Sequence, residues 1–200
     1  MDFALSEQQE MLKKAAGEFL AKECTKKLVR EMEKDERGYS PELWQKMADL
    51  GWMGLVYPEK YGGSGLNLLD LAILLEEMGK ALVPGPFLST VVSCGLAILK
   101  WGTEAQRKDI LPAIARGDAI LALALTESGG TYDAAGIKVK AVADGNDFVI
   151  SGTKLFVSYA HIADYLLCVT RTKASRNKQD GITLFLVDAK SPDISCTLLQ

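Results

Sequence analysis

The chain holds a single histidine, His161, among its 200 residues. Its four cysteines, Cys24, Cys94, Cys168 and Cys196, stand far apart. A zinc site needs closely spaced Cys and His ligands, so no metal site is expected. The same spacing gives no disulfide framework, and free, mostly buried thiols in a reducing cytoplasm are the expectation. A strong excess of either sign is also missing: 23 Lys and Arg against 26 Asp and Glu leave a net charge of −3. Nucleic-acid binding asks for a strongly basic face and aromatic stacking platforms, and neither is present. Apolar runs such as residues 71–75 and 120–125 are far shorter than the roughly 20 residues of a membrane span. A basic segment followed by an apolar one is missing near Met1, so no secretory signal is read and a cytoplasmic location is expected.

What remains is a chain with 48% hydrophobic and 24% charged residues, the composition of a soluble globular protein. Its hydrophobic period changes near Gly117. Before that point apolar residues recur at helical spacing; after it, short strand-like runs alternate with turns. The spacing predicts an α+β fold: an N-terminal all-α domain over residues 1–117 and a β domain over 118–200.

Helix starts are marked by caps. Ser6 with Gln9 three residues on forms a capping box, and the helix beyond it sets Met11, Leu12, Ala15, Ala16, Phe19 and Leu20 on one stripe. Ser40-Pro41 reads as an N-cap and a proline at the first helical position, with Gly51 as terminator. Tyr57-Pro58 and Tyr61–Gly65 form a permissive loop. Asn67 caps a helix that is apolar from Leu68 to Leu75 except at Asp70, so burial on most sides is expected. Pro84-Gly85-Pro86 breaks it. A further buried helix carries Phe87, Leu88, Val91, Val92, Leu96 and Leu99. Thr103 caps a polar helix to Arg116, which Pro112 is expected to kink. Two central helices shielded by amphipathic ones make a helical bundle.

In the second half, Leu121, Leu123 and Leu125 alternate with Ala122 and Ala124. Residues 137–143 alternate too. Asp144–Asp147 is a hairpin turn and Ser151-Gly152 reads as a second. Strands are expected near 153–159, 164–171, 182–188 and 194–199, which together predict an antiparallel barrel or sandwich. The basic segment Lys173–Asp180 reads as a solvated hairpin tip, with phosphate binding as the alternative.

Two stretches carry candidate chemistry. A strand placing Phe156 and Ser158 on one face sets an aromatic and a hydroxyl about 7 Å apart. Thr126 ends another strand, and Gly129 and Gly130 permit a close backbone approach. A flat redox cofactor needs such parts: a ring contact, polar donors and backbone amides for phosphate. Each residue also has a plain structural reading, Phe156 as core and Gly129-Gly130 as a turn.

Taken in order, the pieces resemble the acyl-CoA dehydrogenases. The start Met1-Asp2-Phe3, the segment Gly51-Trp52…Pro58-Glu59-Lys60-Tyr61-Gly62-Gly63, Leu75–Gly79, and Gly102–Arg107…Leu111-Pro112…Gly117 are similar to that family's N-terminal elements. Leu125-Thr126-Glu127…Asp133 is similar to its "TEPxAGSD" motif, and Ser151-Gly152-Thr153-Lys154…Phe156-Val157-Ser158 to its "NGxKxWIT". The resemblance implies FAD as cofactor and α,β-dehydrogenation of an acyl-CoA thioester, with electrons passing to an electron-transferring flavoprotein. It implies cofactor contacts along Leu123–Tyr132, at Leu123, Leu125, Thr126 and Tyr132, and at Phe156, Val157 and Ser158, with Tyr132 also near substrate.

Departures from the family pattern are Ser128 for proline, Gly130 for alanine, Thr131 for glycine, Tyr132 for serine, Phe156 for tryptophan and Ser158 for threonine. The family's C-terminal helical bundle, which carries the catalytic glutamate and most of the oligomer interface, has no counterpart here. Glu76, Glu77 and Glu127 do not match that base, so no catalytic residue is assigned and the chain is expected to be a piece of a longer, homo- or hetero-oligomeric enzyme. The rival reading is a non-catalytic partner subunit or scaffold.

Overall fold

A computed structural model describes residues 4–199. The Met1-Asp2-Phe3 start lies outside the described residues, as does Gln200. The chain divides into two compact units, one comprising the residues up to Phe87 with Gly95–Ala119, the other Leu88–Cys94 with the residues from Ile120 onward.

The first unit is helical. It holds α1 (Glu7–Glu23), α2 (Lys26–Met32), α3 (Pro41–Asp49), α4 (Leu68–Ala81), α5 (Leu96–Trp101) and α6 (Glu104–Ala115), of which α1, α3, α4 and α6 follow the caps read in the sequence. Ser6 and Gln9 close a reciprocal capping box on α1. Ser40 accepts from Leu43 N–H ahead of Pro41, and Thr103 and Gln106 close another box on α6, which runs through Pro112 to Ala115. Each cap satisfies helix-end amides that would otherwise be orphaned.

Burial departs from the simple stripes. Met11 is exposed while Ala16 and Leu20 are buried. In α4 the apolar Leu68 and Leu69 are exposed and the acidic Asp70 is buried. The reason is capping: one Asp70 oxygen accepts from Asn67 N–H at 2.9 Å, and the other accepts from Gln9 Nε2 at 3.0 Å. Asp70 therefore ties the start of α4 to α1, which packs along it. The helix stops at Leu82, whose left-handed backbone (φ 54°) ends it before Pro84. Trp44, Met47, Met53, Tyr57, Tyr61, Leu74, Leu111 and Ile114 fill the core of this unit.

The second unit is a five-stranded sheet of β1 (Leu121–Ala124), β2 (Lys140–Asp144), β3 (Asp147–Ser151), β4 (Tyr165–Arg171) and β5 (Ile182–Asp188). The sheet is mixed, which corrects the antiparallel barrel or sandwich expected from the sequence. β4 pairs in parallel with β1 and, at Lys140–Arg171, with β2; it pairs antiparallel with β5 along its whole length. Turn chemistry fixes only strands adjacent in sequence, and it does so at Asp144–Asp147, where β2 and β3 form a hairpin. The long segments 125–139 and 152–164 instead bring β4 back in the direction of β1. A parallel pair of this kind is buried on both faces, which is why Ala122 and Ala124 are as buried as Leu121.

Two expected strands are not formed. Residues 153–159 and 194–199 carry no strand pairing. Ser151-Gly152 is no hairpin turn either: Gly152 takes φ 151°, and a Cβ there would lie 2.6 Å from Val139 Cγ2. The chain leaves β3 as an irregular segment packed on Val139. The stretch expected as one helix from Phe87 begins as a π-helical run over Leu88–Gly95 before α5. Within the sheet unit Thr90 Oγ1 accepts from Leu121 N–H and donates to Leu121 O, both at 3.0 Å, closing the edge of β1.

Candidate functional site

The site grows from the end of β1. Leu123 and Leu125 are half-buried, and Thr126 and Glu127 are buried. The Thr126 carbonyl accepts from Leu155 N–H at 2.8 Å. That bond brings the β1 end beside the irregular segment carrying Phe156, Val157 and Ser158. Alternation in the sequence placed these residues on a strand; the structure places them on a loop.

The loop geometry is unusual. Phe156 takes φ 54° and Tyr159 φ 60°, left-handed values that cost a non-glycine residue energy and collect at ligand-contacting positions. Phe156 is 70% exposed, so it is not the core residue its type suggests. Val157 is half-buried and Ser158 exposed. The strained backbone thus presents an apolar ring and a hydroxyl to the outside, where neither stabilises the unit by burial.

A second exposed loop follows Glu127. Gly130 N–H bonds to Glu127 O at 2.9 Å. Gly130 has φ 66°, and a Cβ added at either Gly129 or Gly130 would meet no atom within 4 Å. Tyr132 is 75% exposed. The loop ends where Asp133 Oδ1 accepts from Ala135 N–H and Gly136 N–H at 2.8 and 3.2 Å, capping a short 3₁₀ turn.

Beneath both loops lies a buried ion pair between two motif residues whose pairing the sequence reading had not drawn. Lys154 Nζ lies 2.7 Å from Glu127 Oε1, with both side chains 8% exposed, and it also donates to Leu125 O at 3.1 Å. Glu127 accepts from Lys138 N–H at 2.9 Å and from Val139 N–H at 3.1 Å. Burial pushes the Glu127 carboxyl up, but the hydrogen bond from Lys154 and the two backbone N–H groups outweigh it and hold the group below its ordinary value. The signal was available: a Glu and a Lys in two otherwise small or apolar motif segments, both disfavoured in a core unless paired.

A second anchor is Arg171, at the end of β4. Its Nε donates to Ile137 O at 3.0 Å, Nη1 to Asp180 O at 2.7 Å, and Nη2 to Ala134 O and Lys178 O at 2.7 and 2.9 Å. It ties the 3₁₀ turn after Tyr132 to the β4–β5 hairpin tip. That tip, Lys173–Asp180, is solvent-exposed.

The arrangement can receive a flat ligand with a phosphate tail. It offers an exposed ring, the Ser158 hydroxyl, and a glycine loop open to close approach. FAD fits these features. Among Leu123–Tyr132 and Lys154–Ser158 the one carboxylate is Glu127, and it is fully engaged by Lys154 and two amides. It is not free to remove a proton. Among the described residues no group of three His, Cys, Asp or Glu could hold a metal ion, and no helix is long and apolar enough to cross a membrane.

The acyl-CoA dehydrogenase N-terminal domain model matches residues 6–118, and the acyl-CoA dehydrogenase middle domain model matches residues 122–199. The caffeyl-CoA reductase-Etf complex subunit CarC of Acetobacterium woodii is 36% identical over 193 residues, covering 95% of this chain and 50% of CarC. The solved butyryl-CoA dehydrogenase of Megasphaera elsdenii superposes with a TM-score of 0.80 at 31% identity, covering 96% of this chain and 51% of that one. The ChsE4-ChsE5 complex of Mycobacterium tuberculosis gives 0.82 at 33% identity, covering 95% and 49%. The chain spans about half the length of the curated relatives it matches.

Proposed function

We infer a flavin-dependent dehydrogenation of an acyl-CoA thioester for this chain, which belongs to the acyl-CoA dehydrogenase family through both its helical and its sheet unit. The observation that carries the reading is the exposed, left-handed Phe156 beside the β1 end, joined to it by the Leu155–Thr126 hydrogen bond of 2.8 Å. Bound FAD would supply the acceptor for the substrate's β-hydrogen as hydride.

The chain's own residues have narrower tasks. Leu123, Leu125, Thr126, Phe156, Val157 and Ser158 line the cofactor: Phe156 gives the apolar ring contact, and the Ser158 and Thr126 hydroxyls give polar ones. The uncrowded backbone at Gly129 and Gly130 approaches the phosphates. Tyr132 stands at the phosphate or substrate end. The carboxylate that takes the α-proton is assigned to no residue here, because Glu127 is engaged. On this reading the base, much of the cofactor's second wall and the oligomer interface are supplied by residues other than these. Electron-transferring flavoprotein is the proposed acceptor, which the Etf-complex name of the CarC relative supports. The rival reading, a non-catalytic subunit of a hetero-oligomer, draws on the exposed Tyr132 at a position where the family has serine.

The test is titration of FAD into the purified chain, followed by flavin fluorescence and visible circular dichroism, with dye reduction by butyryl-CoA in parallel. Saturable binding that is lost in Phe156→Ala, without dye reduction, is the expected result. Absence of saturable binding refutes the cofactor reading and leaves the scaffold. Dye reduction in proportion to protein refutes the placement of the base.

A further inference from the structure

We propose that the buried Glu127–Lys154 pair is the positioning device of the site, coupling the loop that carries Tyr132 to the loop that carries Phe156 so that neither is displaced without the other. The proposal rests on the flavin-site reading and adds to it two residues that touch no ligand.

Geometry comes first. Glu127 is the last buried residue before the exposed loop 128–133, and Lys154 lies two positions before Phe156. Their side chains meet at 2.7 Å. The remaining acceptors and donors of the pair go to backbone on either side: Lys154 to Leu125 O at 3.1 Å, and Glu127 to Lys138 N–H and Val139 N–H at 2.9 and 3.1 Å. One backbone bond flanks it, Leu155 N–H to Thr126 O at 2.8 Å. The pair therefore sets the start of one exposed loop, the return of that loop into β2, and the start of the other exposed loop, all at one point.

Energetics separate positioning from plain stabilisation. Burying two charges costs desolvation that their attraction only roughly repays, and apolar side chains of similar size often hold a core as well or better. An apolar pair, however, cannot direct hydrogen bonds to one carbonyl and two amides. What the charged pair adds is direction. Among the described residues it is also the one ion pair with both partners buried; every other pair has at least one side chain well exposed to water. Phe156 needs such support, because its φ of 54° persists only where surroundings over-determine it.

The experiment compares the chain with Lys154→Met, Glu127→Gln and the double variant Lys154→Met/Glu127→Leu. Residue-resolved amide exchange and FAD titration are the readouts. The expected result for either single variant is faster exchange, by at least tenfold, at both Leu155 and Val139, with a rise of similar size in the FAD dissociation constant. The amides of Leu20 and Leu74 in the helical unit should stay within twofold.

The double variant, free of any unpaired buried charge, should recover its thermal midpoint but not the Leu155 protection or the affinity. Recovery of Leu155 protection and affinity together with the midpoint would overturn the proposal, since that is what a purely structural pair does. Exchange unchanged within twofold in the single variants would overturn it too. If the single variants do not fold, the double variant decides. If the parent chain binds no flavin, the cofactor reading fails, and the exchange data still judge the coupling.

Discussion

Two glycine-rich loops in this chain look alike in sequence and behave oppositely in structure. The loop Tyr57–Leu66 of the helical unit is closed upon itself. Ser64 N–H bonds to Gly54 O at 3.1 Å, Gly65 N–H to Tyr57 O at 2.8 Å and Leu66 N–H to Leu55 O at 3.0 Å. A Cβ on Gly63 would sit 2.0 Å from the Tyr57 carbonyl oxygen. The loop 128–133 of the sheet unit has no such crowding: Gly129 and Gly130 face open space. The first loop needs glycine because its own backbone fills the room a side chain would take. The second has glycine at Gly129 where nothing in the unit demands it, which leaves room for the ligand approach proposed above.

The largest effect should fall between the second loop and its neighbour. Removing the ammonium in Lys154→Met leaves Glu127 buried without its cation, and breaking a buried pair this way costs about 3–5 kcal/mol. Urea denaturation followed by the amide signals of the sheet unit should show that loss there. A loss under about 1 kcal/mol, the range of a solvent-exposed pair, would show that the site is wetter than the side-chain burial indicates.

The glycines themselves sharpen the contrast. Gly63→Ala forces a methyl against backbone that cannot rotate away, and overpacking of this kind costs about 1–3 kcal/mol, here at the upper end. Gly129→Ala meets nothing and should change stability by less than about 0.5 kcal/mol, while weakening FAD binding if the loop approaches phosphate. Equal stability losses in the two variants would erase the distinction.

Acid offers a third comparison. Glu127 has a carboxyl held below its ordinary value of 4.5, so its contribution is fully present above that value and is lost as pH falls through the lower, folded value. Lys154 progressively loses its partner as the pH falls below 4.5. The carboxylates of the helical unit that are also held low, such as Glu23, Glu76 and Glu104, lie in solvent-exposed pairs and contribute little. Amides of Leu155 and Val139 should therefore lose protection at a higher pH than those of Leu74 and Leu111. The opposite order would place the acid-sensitive contact in the helices.

The helical unit was the more legible of the two. Ser6, Ser40, Asn67 and Thr103 act through bonds to amides three residues on or nearer, so a local pattern is enough to find them. The Asp144–Asp147 hairpin is local in the same sense. The parallel pairing of β1 with β4 joins Leu121 to Tyr165, and no turn residue encodes a partner that distant. Alternation predicted a strand at 153–159, but the segment's backbone is set by Lys154 reaching Glu127 and Leu125, and by Gly152 lying on Val139. The motif pieces located the candidate site; the buried pair that shapes it was visible only as two charged residues whose partnership the fold decides.

The smallest effect expected on stability, and the most informative for specificity, is at Tyr132. The side chain is 75% exposed, so Tyr132→Ser removes almost no buried surface and should shift stability by less than about 0.5 kcal/mol. Its consequence should lie in binding. A phenol where the family carries a small hydroxyl either narrows the phosphate or substrate end of the site or contributes its own contact there. Narrowing predicts that Tyr132→Ser binds FAD or butyryl-CoA more than twofold tighter. A favourable contact predicts the reverse by a similar factor. A change under about twofold in both, below roughly 0.4 kcal/mol, would mean that the ring points into water. Both loops would then still differ in how they are built, but any ligand contact of the open one would fall to the backbone at Gly129 and Gly130 rather than to the residue that departs from the family's serine.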